Sequence, residues 1–142
     1  MVSNVSEEPA KKVKTFDYKT KVENGFLMEL FKDGDKTAVY LTAAVPGAFK
    51  GYHLHRIRAS RYVCIKGKMK ITLFVKGIFE DHILDASEPK RLYIPNNIAT
   101  GLENIGEEEA WLINFPNPPY DPALVDEQVD YTKEELESGV VK

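Results

Sequence analysis

Gly51-Tyr52-His53-Leu54-His55 is the stretch on which the reading of this chain turns. Side chains two residues apart on an extended strand point to the same face, so His53 and His55 aim into one space. Two of the three histidines of the chain stand here. On an inward face such a pair suits either a metal or proton transfer to a bound ligand. Leu92-Tyr93-Ile94-Pro95-Asn96-Asn97 reads as the second half of the same kind of site.

Strand signals dominate on either side of this stretch. Residues 25–31 lead into a turn at 32–35, where Asp33-Gly34 supplies a residue tolerant of positive φ. Residues 37–44, rich in β-branched and aromatic side chains, return as a strand and break at Pro46-Gly47. Strands are also expected at 51–55 and 61–66, the second turning at Gly67. Residues 68–75 alternate almost strictly, with Met69, Ile71, Leu73 and Val75 on one face. Further strands are expected at 78–84, 91–94 and 110–115, with Trp111 in the core and His82 solvated at a strand edge. Prolines keep 118–122 out of any helix. Thr132 and Glu135 have the spacing of a capping box, so a short helix is expected over 132–138, stopped by Gly139. Many short strands with close turns and almost no helix predict an all-β sandwich or barrel.

Size and charge bound the function. A chain of 142 residues is expected to form one domain around one core. We divide it into a flexible N-terminal arm, 1–14, whose Ser, Glu and Lys content resists packing, and a folded domain, 15–142. A net charge of −3 argues against nucleic acid as a partner, which calls for a basic face. No apolar run approaches the length of a membrane span, and residues 1–14 hold no signal-peptide core. The single cysteine, Cys64, excludes an intrachain disulfide framework and reads as a small core residue. Together these favour the cytoplasm.

A longer frame surrounds the histidines. Gly47, His53, His55, Ser60 and Gly67 stand at the spacing of the first cupin motif, which carries a glutamate where this chain has Ser60. Pro95, Asn97, Thr100 and Asn104 occupy the places of the second, whose glycine and histidine are here Asn97 and Thr100. The chain thus resembles the cupins over roughly residues 37–115. The resemblance implies a single-domain jelly-roll (double-stranded β-helix) barrel with the short C-terminal helix appended. Ser60 and Thr100 remove two of the four ligands of a metal-binding cupin, and two imidazoles rarely fill a catalytic metal site. The expectation is therefore no metal and no cofactor.

A narrower resemblance is to cupins acting on nucleotide-linked 4-keto sugars. Lys50-Gly51-Tyr52-His53 is similar to the Arg-Gly-Leu-His of dTDP-4-dehydrorhamnose 3,5-epimerases, and Tyr120-Asp121-Pro122 to their tail. Lys50-Gly51-Tyr52-His53-Leu54-His55-Arg56 is similar to the Arg-Gly-x-His-Ala-His-Lys of dTDP-4-keto-6-deoxyhexose 3,4-ketoisomerases. The resemblance implies a sugar-nucleotide partner, a homodimer, and a histidine base. The epimerases place a tyrosine acid where this chain has Asn114, and an aspartate behind the catalytic histidine; Asp130 is near that place.

Such a site has defined chemical needs. A proton beside a ketone is acidic because the enolate spreads its charge onto oxygen, so an enzyme needs a base within reach and a donor for that oxygen. His53 is the candidate base, and His55 could return the proton. Arg61 and Lys50, then Arg56 and Arg58, are candidates for a diphosphate, which a guanidinium binds by two hydrogen bonds. Tyr40, Tyr52, Tyr62 and Tyr93 are candidates to stack on a base or donate to an enolate, with Asn114 beside them. The competing expectations are a non-catalytic cupin that binds a small ligand, and a metal-dependent cupin enzyme.

Overall fold

The computed structural model describes residues 12–33 and 37–142. The alternation at the centre of the chain does fold as strand. β6 (Lys68–Val75) buries Met69, Ile71 and Leu73 and hairpins through Lys76-Gly77 into β7 (Ile78–Asp85). The other strands are β1 (Lys12–Phe16), β2 (Glu23–Asp33), β3 (Thr37–Ala44), β4 (Phe49–His55), β5 (Ser60–Lys66), β8 (Arg91–Ile94), β9 (Ala99–Asn104), β10 (Ala110–Asn114) and β11 (Gln128–Asp130). They form two antiparallel sheets, ordered β1-β2-β3-β10-β5-β8 and β11-β4-β9-β6-β7. This is the cupin jelly roll. Its core lies between the sheets, where Met69, Ile71 and Leu102 meet Ala44, Cys64, Ala110 and Leu112.

The helix α1 (Lys133–Ser138) starts at Thr132 with the expected reciprocal capping box to Glu135 and ends at Gly139 in the left-handed region, φ 78°. It covers the outer face of the five-stranded sheet, where Leu136 and Tyr131 pack on Tyr52, Phe49 and Phe79 in a second, smaller cluster. Among the described residues no helix is long and apolar enough to cross a membrane.

Both cupin frames have a structural basis here. Asn97, at the place of the second frame's glycine, adopts φ 65°, a conformation that asparagine tolerates better than most residues. Asn104 is fully buried. Its amide donates to the carbonyls of Ala44 and Glu108, both at 2.8 Å, and its Oδ1 accepts from the Gly106 amide at 2.9 Å. One side chain thus satisfies three backbone groups that a buried loop would otherwise leave unpaired.

Several expectations shift. Of the arm, Lys12–Lys14 open β1, and residues 1–11 lie outside the described residues, as do Gly34 and Asp35 of the expected turn. Trp111 is not core. Ala110 and Leu112 take the inward side of β10, so by alternation Trp111 faces out. There its indole donates to Glu109 at 2.7 Å and the Lys66 ammonium sits 4.9 Å from its ring. Cys64 is buried as expected, and burial raises its thiol pKa. His82 lies on the edge strand β7, 3.8 Å from the Glu80 carboxylate.

Candidate functional site

The site is a cavity of about 580 Å³ between the two sheets. β4 supplies Lys50, Gly51, His53 and His55; β3 and β10 of the facing sheet supply Tyr40, Thr42 and Asn114. His53 and His55 share a face because they are two apart. Lys50 is three residues before His53 and would point the other way on a regular strand. The β4–β9 register shifts between Lys50 and His53, as in a β-bulge, and Lys50 joins the same wall. Gly51 sits within that shift. A Cβ there would lie 2.7 Å from the Thr100 carbonyl oxygen, and its φ of 140° is a region side chains avoid.

β11 runs antiparallel along the edge of β4, with Asp130 opposite His53 and Gln128 opposite His55. Asp130 Oδ1 lies 2.5 Å from His53 Nδ1. Hydrogen bonding to His53, against the opposing effect of burial, lowers the Asp130 pKa. An ionised carboxylate only accepts, so Nδ1 of His53 carries a proton and points it at Asp130, leaving Nε2 as the ring nitrogen directed away from that contact.

His55 is held differently. Arg58, also buried, donates from Nε to Glu127 Oε1 at 2.8 Å, and its Nη2 lies 2.9 Å from His55 Nδ1. Glu127 Oε2 accepts from the amides of Ile57 and Arg58 at 3.1 and 3.0 Å. Burial pushes the Glu127 carboxyl up, but these amides and the guanidinium outweigh it and hold it below the ordinary range. For His55, burial and then the Arg58 charge lower the pKa to about 4. The Gln128 carboxamide stands between the two histidines, 3.5 Å from Arg58 Nη2 and 3.3 Å from Asp130.

Lys50 is buried, and its ammonium donates to Thr42 Oγ1 at 3.1 Å and to the Phe26 carbonyl at 3.4 Å. Among the described residues no carboxylate forms an ion pair with it. Desolvation lowers its pKa to about 8. The Tyr40 hydroxyl is buried with no hydrogen-bond partner among the described residues, and burial, then Glu29, raises its pKa. Tyr62 also lines the cavity, and Tyr120 closes over the guanidinium of Arg58 at 5.1 Å.

Of the residues expected at the site, His53, His55, Lys50, Arg58, Tyr40, Tyr62 and Asn114 come together here. Four do not. Tyr52 alternates with His53, and its ring packs against Phe49 and Phe79 at 5.1 and 5.8 Å on the outer face. Arg61 alternates with Tyr62 and lies against the Phe115 ring at 4.3 Å; Tyr93 pairs with Arg61 in β8 and is 63% exposed. Arg56, beyond the end of β4, bonds the carbonyls of Asp126 and Lys142. Glu127 and Gln128 were not anticipated, and Asp130 only by analogy. Their one local signal is the alternation of Gln128 and Asp130 just before the helix cap.

The donor set does not fit a tightly held transition metal. Among the described residues no three His, Cys, Asp or Glu side chains converge. Thr100 pairs with His53 in register and offers a hydroxyl, bonded to the Ile98 carbonyl at 3.2 Å, where the resemblance expects an imidazole. Arg58 also brings a fixed positive charge to His55.

Comparison with known proteins agrees with this architecture. The model of the polysaccharide biosynthesis C-terminal domain family matches residues 20–128. The chain belongs to that family. A protein of Haloferax volcanii, named a probable low-salt glycan biosynthesis epimerase, Agl13, is 25% identical over 120 residues, which cover 75% of this chain and 77% of the relative. The capsular polysaccharide assembling protein CapF of Staphylococcus aureus superposes with a TM-score of 0.71 at 20% identity over 84% of this chain and 34% of its own. A mutant of Bacillus subtilis oxalate decarboxylase with one arginine changed to alanine gives 0.62 at 21% identity over 83% and 33%. These two likenesses establish the fold, and the match spans only about a third of the length of each solved structure.

The site generates a prediction about acid. The unfolded His55 protonates near 6.5, but the folded one only near 4. Between these values the unfolded chain binds the extra proton, so stability falls as pH drops from about 6.5 towards 4, by at most about 3 kcal/mol. The lowered pKa values of Asp130 and Glu127 act in the same direction at the acid end. Urea midpoints of the wild type should decline from pH 7 to 4. His55→Asn should flatten the part of this decline nearest pH 6; an unchanged slope would refute the buried neutral imidazole.

Proposed function

We propose that this protein is an epimerase or isomerase acting on a nucleotide-linked 4-keto-6-deoxy sugar, dTDP-linked in the first instance, in glycan biosynthesis. The observation that carries the reading is the His53–Asp130 contact at 2.5 Å, facing a cavity that also holds the buried Lys50 ammonium. His53 Nε2 takes the proton from the carbon beside the ketone, and Asp130 stabilises the imidazolium that results. The electron pair moves onto the carbonyl oxygen. Lys50, already desolvated and without a carboxylate partner among the described residues, is suited to stabilise that oxyanion, because a preorganised cation in a dry site gains more from a developing charge than one in water. This replaces the diphosphate role expected of Lys50. The family and the named epimerase relative support the sugar chemistry.

A second reading, a cupin that binds the sugar nucleotide without turning it over, is favoured by one observation. Asn114 stands on the cavity wall where the resemblance expects a tyrosine acid.

Exchange, pH dependence and assembly each test this reading. In deuterium oxide, the protein should incorporate deuterium beside the ketone of dTDP-4-keto-6-deoxyglucose, read by NMR. His53→Asn should slow this about a hundred- to ten-thousand-fold, the usual contribution of a general base, with binding retained. Wild-type binding without exchange selects the second reading. If the charged Lys50 is needed, exchange at low substrate should fall as pH rises through about 8, and Lys50→Met should remove that limb along with most of the rate. A limb that survives in Lys50→Met assigns it elsewhere. The protein should also dimerise, because the outer face of the six-stranded sheet carries Ile65, Trp111 and Ile113 partly open to water. Light scattering that shows only monomer at micromolar concentration would refute the dimer.

A further inference from the structure

His53 and His55 lie on one wall, yet their Nδ1 atoms meet groups of opposite character. A carboxylate faces His53. A guanidinium faces His55 at 2.9 Å. A guanidinium has no lone pair to offer, so Nδ1 of His55 must accept. The competitor for that nitrogen is Glu127 Oε1, 3.5 Å away. That oxygen already accepts from Arg58 Nε at 2.8 Å. A proton on Nδ1 would be driven against the Arg58 N–H in order to reach a longer and already occupied acceptor.

We propose that Arg58 and Glu127 are positioning residues that hold His55 as a neutral imidazole with its proton on Nε2, a fixed hydrogen-bond donor to the enolate oxygen and not a second carrier of protons. This rests on the enolisation reading above. It replaces the expectation that His55 returns the proton: the imidazolium of His53 gives it back to the same or the neighbouring carbon as the enolate collapses, which restores the neutral base. An Nε2 that carries hydrogen has no lone pair to take a proton with, and a neutral imidazole N–H is too weak an acid to give one.

The device is built before any ligand arrives. The backbone amides of Ile57 and Arg58 fix Glu127, Glu127 fixes Arg58, and Arg58 fixes the tautomer. Among the described residues, the other charged or titratable groups around the cavity that holds His55 are His53 and Asp130 on the same wall, Lys50 further along β4, and the phenols of Tyr18, Tyr40, Tyr62 and Tyr120. The depressed pKa of His55, due to burial and then Arg58, is consistent with this tautomer. Two histidines placed side by side are thereby divided, one into a base and the other into a donor, by partners that differ in the sign of their charge.

The test is a multiple-bond ¹⁵N–¹H spectrum of the histidine-labelled protein between pH 7 and 5. His55 should show the Nε2–H tautomer as its one form across this range. Arg58→Met would orphan the buried Glu127 and risks the fold, so the informative variant is Arg58→Met/Glu127→Gln, with Arg58→Lys as the conservative companion. In the double variant His55 should become a mixture of tautomers that titrates above pH 5. Deuterium exchange into dTDP-4-keto-6-deoxyglucose should slow by at least about tenfold, as expected for a misdirected oxyanion donor, while KM changes little. A purely structural pair would leave the imidazole spectrum unmoved. Wild-type His55 found with its proton on Nδ1, or charged at pH 6, overturns the proposal and leaves His53 as base untouched. A wild type with both tautomers as assigned but no exchange would overturn the enolisation reading, and the catalytic role of His55 with it.

Discussion

The three-residue ladder of Gln128–Asp130 along the edge of β4 is the constraint on which the site depends. Without it His53 and His55 would be two imidazoles on an exposed strand edge, free to rotate and to exchange tautomers. With it, His53 acquires Asp130 from a segment distant in sequence, and the adjoining Glu127 fixes the Arg58 that faces His55. So short a strand contributes little stability by itself. Its position is secured by the residues immediately C-terminal to it. Tyr131 continues the backbone pairing with Tyr52, both amides donating at 2.8–3.0 Å, and buries its ring beside Leu136 of the capped helix. The small cluster on the outside of the five-stranded sheet thus acts as an anchor for the chemistry on the inside.

Charge is the second organising element. Arg58 and Glu127 are both buried. Removing two such charges from water costs about as much as their attraction returns, so a buried pair of this kind is weak evidence of stability. Its geometric consequences are better defined. Both carboxylate oxygens of Glu127 have a donor, and the guanidinium turns its Nη2 to His55 and Gln128. Lys50 lacks such compensation among the described residues. An ammonium kept in a largely apolar recess with only a hydroxyl and a carbonyl for company is costly to maintain, and an anionic ligand would relieve that cost.

The same barrel carries other chemistries, as the likeness to oxalate decarboxylase illustrates, and fold alone does not select among them. What distinguishes this cavity is the absence, among its described residues, of a third imidazole or a carboxylate converging with His53 and His55 as a metal-ligand set. In their place stand Thr100 and an acid–base pair closed on itself. The facing wall contributes a buried hydroxyl, Tyr40, directly across from Asn114 in the β3–β10 register. A tyrosine is therefore present one strand away from the position at which the resemblance looked for it.

How much of this was legible in the sequence depends on the range of the interactions involved. Alternation is local, so the faces of β6, the common wall of His53 and His55, the burial of Cys64 and the Thr132–Glu135 cap could all be read residue by residue. The frame of Gly47 to Gly67 and Pro95 to Asn104 carried the fold. The same alternation, misapplied, misplaced Trp111, Tyr52, Arg61 and Tyr93, because a strand's two faces look alike until something covers one of them. Lys50 reached the wall only through a register shift, which depends on how β9 meets Gly51. β11 was missed because three residues hold too little pattern to signal a strand. The sequence by itself determined the barrel, the two histidines and their shared direction. The tertiary structure alone decided that a carboxylate meets His53 and that Arg58 turns its guanidinium to His55, since Asp130 and the Glu127 that fixes Arg58 come from a segment whose place beside β4 is set by the packing of the helix that follows it rather than by its own residues.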